Sequence, residues 1–199
     1  PDLSVQGVLA YGKYEYTSNP TLTQTVDNSA NVVFQNVPIP YWKSTLLPDG
    51  SIKQHYVPST PQIAASLGLS YNYDYWFIDA DVEYFGESYL DMNPLYRTEY
   101  AVYGPDNIVS AEEIEYMTEQ EKFDPAFLVN LSIGKSWMIN YKYQLGFSLN
   151  VKNILNNTDV KTGGYEQTRL VDNTLSKSRY YRFDPKYFYM SGTNYMLNL

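Results

Sequence analysis

The sequence predicts an all-β chain: an antiparallel up-and-down transmembrane β-barrel with long extracellular loops, of which these residues are the C-terminal portion, about six strands. Three observations carry that expectation. Four segments alternate apolar and polar residues at period two, each near the roughly 9 to 11 residues that a tilted strand needs to cross a bilayer. The connections are sharply unequal, two tight turns against three long loops, a pattern rare in compact soluble domains. Tyr and Trp cluster at the tight turns, as at a membrane interface.

The elements follow in chain order. A first strand is expected within Leu3 to Thr17. Ile63, Ala65, Leu67, Leu69 and Tyr71 then point one way, and Ala64, Ser66, Gly68, Ser70 and Asn72 the other. After a turn near Asn72, Tyr73 and Asp74, a strand from Trp76 to Tyr89 sets Trp76, Ile78, Ala80, Val82 and Tyr84 against Asp79, Asp81 and Glu83. Phe127, Val129, Leu131 and Ile133 oppose Asn130, Ser132, Gly134 and Ser136. A second tight turn near Met138, Ile139 and Asn140 leads to Tyr143, Leu145, Phe147, Leu149 and Val151, against Gln144, Gly146, Ser148 and Asn150. Tyr187 to Leu199 is expected to close the set. Lys135 falls on the apolar face, two residues from Trp137, close enough to an interface to snorkel. A soluble sheet hides its apolar face, whereas a membrane barrel shows that face to lipid and encloses a wet lumen of small and polar residues.

Strand directions must alternate, which places Ser18 to Thr60, Asp91 to Asp124 and Asn153 to Asp184 on one side and both tight turns on the other. An open sheet edge cannot face hydrocarbon, because its amides and carbonyls would go unsatisfied. Residues 1–199 are therefore expected to be the last strands of one larger barrel domain, with earlier strands before Pro1. Tags near Asn107 and Gly163 are therefore expected to be accessible on intact cells and a tag at the Asn72 turn silent, and deletion of Asp106 to Glu119 is expected to weaken ligand uptake while leaving the barrel assembled, since loop tips tolerate change.

Composition excludes several classes. There is no apolar run of the length a transmembrane helix requires, no Cys for a disulfide scaffold or thiolate metal site, and a single His, His55. A net charge of −8 argues against nucleic-acid binding. No signal peptide is visible, and strand-like sequence begins almost at Pro1.

Candidate functional residues fall in two groups. Asp79, Asp81 and Glu83 project three carboxylates to one face at a spacing of roughly 7 Å, a lumen-facing ladder able to attract cations or to pair with basic residues. Such ladders are common in polar barrel linings, so no catalytic pair, metal site or enzyme activity is expected. Loop aromatics Tyr41, Trp42, Tyr165 and Tyr180, with Phe34 and Tyr181, are ligand-contact candidates by stacking, or else packing residues. The acidic stretch Asp91 to Asp124, with Arg97 and Lys122, reads as a solvated loop, with a lid or a calcium-binding loop as the alternatives, and contains a short helix with Ser110 as N-cap and Glu113 in the capping-box position. His55 reads as an ordinary loop residue.

The stretch LGFSLNVKNILNN (Leu145 to Asn157) has the form of an alternating strand with an Asn-rich exit. With GVLAYGKYEY (Gly7 to Tyr16), VPSTPQIAASLGLSY (Val57 to Tyr71), FIDADVEYFGESYLDMNP (Phe77 to Pro94) and RFDPKYFYMSGTNYMLNL (Arg182 to Leu199), it resembles, in the same order, the C-terminal barrel segment of TonB-dependent outer-membrane receptors of the SusC-like or carboxypeptidase-regulatory-like type. The resemblance implies a barrel of about 22 strands in a bacterial outer membrane. It implies import of a nutrient such as a metal chelate, vitamin, oligosaccharide or peptide, without a cofactor. The implied partners are outer-membrane lipid, the chain's own plug domain, TonB through a segment before Pro1, and a surface lipoprotein of the SusD type. Such barrels usually end in an aromatic residue, whereas this sequence stops at Leu199, so a few further residues are expected. The alternatives are a passive porin or adhesin barrel, favoured if no plug precedes Pro1, and a soluble β-sandwich that binds glycans through Tyr and Trp.

Overall fold

The computed structural model describes residues 2–103, 109–168, 170–173 and 178–199. β1 (Asp2–Tyr11) is followed by two small hairpins, β2 (Thr21–Thr25) with β3 (Val32–Pro38) and β4 (Ser44–Leu46) with β5 (Ile52–Gln54). β6 (Ile63–Tyr73) and β7 (Trp76–Gly86) come next, then a 3-10 turn at Pro94–Arg97, α1 (Glu99–Tyr103) and α2 (Ala111–Thr118). β8 (Ala126–Ile139), β9 (Tyr143–Lys152), β10 (Lys161–Tyr165), β11 (Leu170–Asn173), β12 (Ser178–Arg182), β13 (Lys186–Tyr189) and β14 (Asn194–Asn198) complete the chain. Six strands form one sheet in the order β1-β6-β7-β8-β9-β14, every neighbouring pair antiparallel.

The register aligns the alternation across all six strands. Leu3, Tyr71, Ile78, Ile133, Leu149 and Leu197 stand opposite one another in a row, and Val5, Leu69, Ala80, Leu131, Val151 and Tyr195 form the next. The opposite face carries Ser4, Ser70, Asp79, Ser132 and Asn150, and only on β14 does an apolar residue, Met196, stand in this row. A slip of one residue in any strand would exchange its faces, so the agreement fixes the pairing. No described element covers the apolar face: Leu3 is 70% exposed, Leu67 53% and Leu145 54%. No helix among the described residues is long and apolar enough to cross a membrane.

Both tight turns use left-handed backbone. Tyr73 and Trp76 pair across Asp74 (φ 47°) and Tyr75 (φ 62°), the geometry that suits the twist of a hairpin. Asn140 (φ 51°) and Tyr141 (φ 52°) begin the other turn. Asp and Asn tolerate that region well, which explains their place at the first position of each. Lys135 bends toward this end. Its Nζ lies 4.9 Å from the Trp76 ring centroid, 3.4 Å from the Asp74 carbonyl and 3.6 Å from the Asp74 carboxylate.

Three sequence expectations change. The first strand, expected within Leu3 to Thr17, begins at Asp2 and occupies only the first part of that span, ending at Tyr11. Beyond it the chain continues as an irregular ribbon against residues 55–57, with Tyr16 N–H bonded to the His55 carbonyl at 3.0 Å and Val57 N–H to the Tyr14 carbonyl at 2.8 Å. The strand expected over Trp76 to Tyr89 ends at Gly86, where Glu87 turns left-handed (φ 56°). Tyr187 to Leu199 is not one closing strand: β13 pairs with β10, and only β14 joins the main sheet.

The largest correction concerns the long connections, which are folded rather than structureless. All three leave the same end of the sheet and assemble into one cap. Most of the described buried side chains lie there, including Leu90, Met92, Tyr96, Ala101, Val102, Met117 and Phe123. The loop from Asp91 to Asp124 is thus the centre of a core, not a solvated acidic stretch. Its α2 does start as expected, the Ser110 N–H donating to the Glu113 carboxylate at 2.8 Å, and it buries Met117 and Thr118. Deleting Asp106 to Glu119 would remove that packing. Gly163 is buried against β13 and is no site for a tag, while Asn107 lies outside the described residues.

Candidate functional site

The polar face of the sheet and the underside of the cap meet at one level, and the site is built there. Along β7, Asp79, Asp81 and Glu83 share the polar face. Asp79 accepts a hydrogen bond from the Ser70 hydroxyl, and Asp81 accepts one from Asn130 Nδ2 at 2.7 Å. Ser132 donates to Asn150 Oδ1 at 2.8 Å. The ladder's described partners are therefore neutral hydroxyls and amides rather than basic side chains. Glu83 stands between Ser66 and Leu128 without a hydrogen bond to any described residue.

Above this face the cap is held together by charge. Arg97, fully buried, gives both Nη atoms to the Glu166 carboxylate, and its Nη2 also donates to the Glu119 carbonyl at 3.0 Å. Glu166 accepts a further bond from the Asn93 N–H at 2.7 Å and one from Arg182 Nη2. Arg182 reaches the Tyr116 carbonyl at 2.9 Å and the Glu119 carbonyl at 3.1 Å. One carboxylate thus serves two guanidinium groups and ties the β7–β8 connection to the β9–β14 connection. Burial lowers the proton affinity of Arg97 and Glu166 opposes it; a guanidinium stays charged in either case. Arg97 Nε is buried without a partner among the described residues.

The β1–β6 connection joins through Tyr56 and Gln120. Tyr56 N–H donates to Gln120 Oε1 at 2.7 Å, and Gln120 Nε2 returns to the Tyr56 carbonyl at 2.8 Å. Lys53 pairs with Glu119. His55 is fully buried rather than an ordinary loop residue. Its Nδ1 lies 2.9 Å from the Trp42 carbonyl, which can only accept, so Nδ1 carries the proton and Nε2 takes the Thr45 hydroxyl at 2.7 Å. Burial, reinforced by the nearby cations Arg97, Lys53 and Arg182 and opposed by the Trp42 carbonyl, pushes its pKa down to about 4.

Where cap and sheet meet lies a cavity of about 180 Å³. All three long connections line it, with Ser59 and Pro61 from the first, Ser88, Tyr89, Phe123 and Asp124 from the second, and Val160, Lys161, Thr162 and Met190 from the third; Phe85 and Ala126 belong to the sheet. Phe85 and Met190 also border a wider hollow over the polar face that includes Asp81, Glu83, Asn130, Asn150 and Lys152. An apolar cleft therefore lies beside a polar one, with Phe85 and Met190 common to both. Such a pocket, apolar with a few convergent polar groups, is the form that small-molecule sites commonly take.

The sequence-derived aromatic candidates are scattered rather than gathered. Tyr41 packs against the core formed by Tyr96, Ala101, Val102 and Met117 and shares a hydrogen bond with Tyr103 at 3.0 Å. Trp42 leans on Tyr16 at 4.9 Å, and Phe34 on Tyr100 at 5.3 Å. Tyr165 is 45% exposed beside Phe188. Tyr180 and Tyr181 lie on β12, and their side chains are outside what the structure describes. The sequence reading missed Glu166, Arg182, Phe85, Phe123 and Met190. Phe85 alone had a signal, since it sits in phase with Asp81 and Glu83 on the polar face, where a large ring is out of character. Searches against models of protein families, curated proteins and solved structures return no match to this chain.

Proposed function

We propose that the chain is the C-terminal part of a bacterial outer-membrane β-barrel of the TonB-dependent receptor kind, which imports a nutrient too large for porins. The observation that carries this reading is the six-stranded antiparallel sheet whose apolar face lies uncovered on every strand. Leaving a Leu, Ile or Val side chain in water forgoes about 1.5–3 kcal/mol. Rows of them across six strands need either lipid or a second sheet, and no second layer packs on that face among the described residues. Aromatic Tyr71, Tyr73, Tyr75, Trp76, Trp137, Tyr141 and Tyr143 ring the turn end, in keeping with an interfacial girdle. The cap at the opposite end suits an extracellular surface that meets ligand first. Both β1 and β14 keep a free edge, which further strands of a closed barrel would satisfy. A plug domain, TonB and a surface lipoprotein are the partners this reading entails.

Single cysteines decide it. In intact outer membranes, Cys at Ser66, Ser132 or Ser148 should react with a small aqueous thiol reagent, while Cys at Leu67, Leu131 or Phe147 should be protected. Equal labelling of both faces would sink the membrane reading and favour a soluble β-sandwich.

A further inference from the structure

Three separate connections and the sheet wall each contribute to the junction cavity. Its volume of about 180 Å³ exceeds the ~150 Å³ that suffices to hold a benzene ring. Phe85, Phe123 and Met190 offer ring faces and a polarizable sulfur, surfaces that favour a flat apolar group. Phe85 and Met190 belong to the walls of both the cavity and the polar hollow, so the two lie side by side. Two residues along the same face of β7, roughly 7 Å from Phe85, stands Glu83.

The charges around Glu83 favour a cation there. Asp81 beside it is already engaged by Asn130 Nδ2 at 2.7 Å. Lys152, the basic side chain among the hollow's described lining, sits at the end of β9 opposite Asn194 of β14, two strands from β7, and forms no ion pair with Glu83 among the described residues. Lys161, at the cavity wall, is occupied by Glu121 at 2.7 Å and lies 3.8 Å from the Tyr187 ring centroid. Glu83, bordering the hollow, and Asp124, in the cavity wall itself, are thus the two carboxylates here with no hydrogen bond or ion pair to a described residue, and Glu83 is the one in line with Phe85 on the polar face.

We propose that this junction is a binding subsite for a molecule carrying an apolar ring two or three bonds from an ammonium group, the ring between Phe85, Phe123 and Met190 and the cation against Glu83. The inference rests on the proposed function only in taking the polar face as the ligand's path, and it names the chemistry that this path selects. 2-Phenylethylamine and 3-phenylpropanoate share a ring and a comparable reach and differ in the sign of their charge. Titrated by calorimetry into the full-length protein in detergent, the amine should bind at least about tenfold more tightly. Glu83→Gln should remove most of that preference while leaving weak binding of both, and Asp124→Asn, which neutralises the carboxylate in the cavity wall, should leave the preference largely intact; the reverse outcome would overturn the assignment to Glu83. Thr162→Phe, which fills the cavity from an exposed position, and Ala126→Leu, which fills it from the wall, should each abolish binding of both, with circular dichroism confirming the fold. Equal affinity for the two probes, no binding of either, or amine binding that survives both filling variants would overturn the proposal. Binding in detergent reads the cavity alone, so a failure here is distinguishable from failure of the membrane reading, which the cysteine labelling tests by itself.

Discussion

His55 shows how one buried side chain makes the cap sensitive to pH. Its imidazole is neutral in the folded cap and has a pKa of about 4, against an ordinary 6.5. Between those values the unfolded hairpin takes up a proton that the folded one refuses. The stability contributed by neutral His55 is therefore complete above pH 6.5 and is lost as pH falls toward 4, by at most about 3 kcal/mol, with no further loss from this group below that. Amide exchange in Ser44–Gln54 should lose protection across that window, and His55→Gln should flatten the change. Protection that does not vary with pH would contradict the assignment. Glu166 offers a second test. Glu166→Gln leaves Arg97 and Arg182 facing each other without their shared carboxylate and should cost about 3–5 kcal/mol of cap stability, since breaking a buried pair strands a charge. Limited proteolysis of the cap is the readout. If Arg97→Met combined with Glu166→Gln is as damaging as the sum of the single changes, the two side chains are not coupled.

At the scale of elements, the Asn-rich exit of β9 has a mechanical meaning. Asn153 turns left-handed (φ 52°) and its Nδ2 donates to the carbonyls of Asn157 (3.0 Å) and Ser191 (2.9 Å). Its own carbonyl accepts the Thr193 hydroxyl at 2.8 Å, while its N–H donates to Asn130 Oδ1 at 3.0 Å. Asn156, also left-handed, accepts the Thr193 N–H at 3.1 Å. The two asparagines hold residues 191–193 so that β14 enters beside β9 with Leu197 opposite Leu149. Asn153→Ala should loosen that placement. Cysteines at positions 149 and 197 should cross-link in the parent protein and at least about threefold less in the variant, given the two or more hydrogen bonds removed at about 1 kcal/mol each. Undiminished cross-linking would assign the register to β14 itself. The same region shows why the last strand was misread. Lys186 to Tyr189 and β14 are both short aromatic-rich or apolar runs bounded by polar residues, and nothing local distinguishes a strand of the main sheet from one that pairs with Lys161 to Tyr165 in the cap. Period-two patterning reports a strand and its faces; it does not report the partner.

At the scale of the whole molecule, the sheet and the cap differed in how far the sequence revealed them, for one physical reason. Most of the sheet is locally encoded: apolar residues two apart along one strand set the faces of β6 to β9, and turns a few residues long join β6 to β7 and β8 to β9, so these strands are legible in the sequence while the ends of β1 and β7 and the partner of β13 are not. The cap's order is long-range. Arg97 meets Glu166 and Lys53 meets Glu119 across separate loops, and neither pair belongs to any periodic pattern. The asymmetry between a thin turn end and a thick cap end yields the last expectation, which concerns orientation. If the cap is the extracellular surface, an epitope inserted at the exposed tip of the β2–β3 hairpin, near Asp27 and Asn28, should be detected on intact cells. That tip lies between two short strands with few ties to the rest of the cap, so insertion there should leave assembly intact. An epitope in the turn at Asp74 and Tyr75 should stay silent until the outer membrane is permeabilised. Detection of the turn epitope on intact cells would invert the topology, and with it the claim that ligand meets the cap before it reaches Glu83.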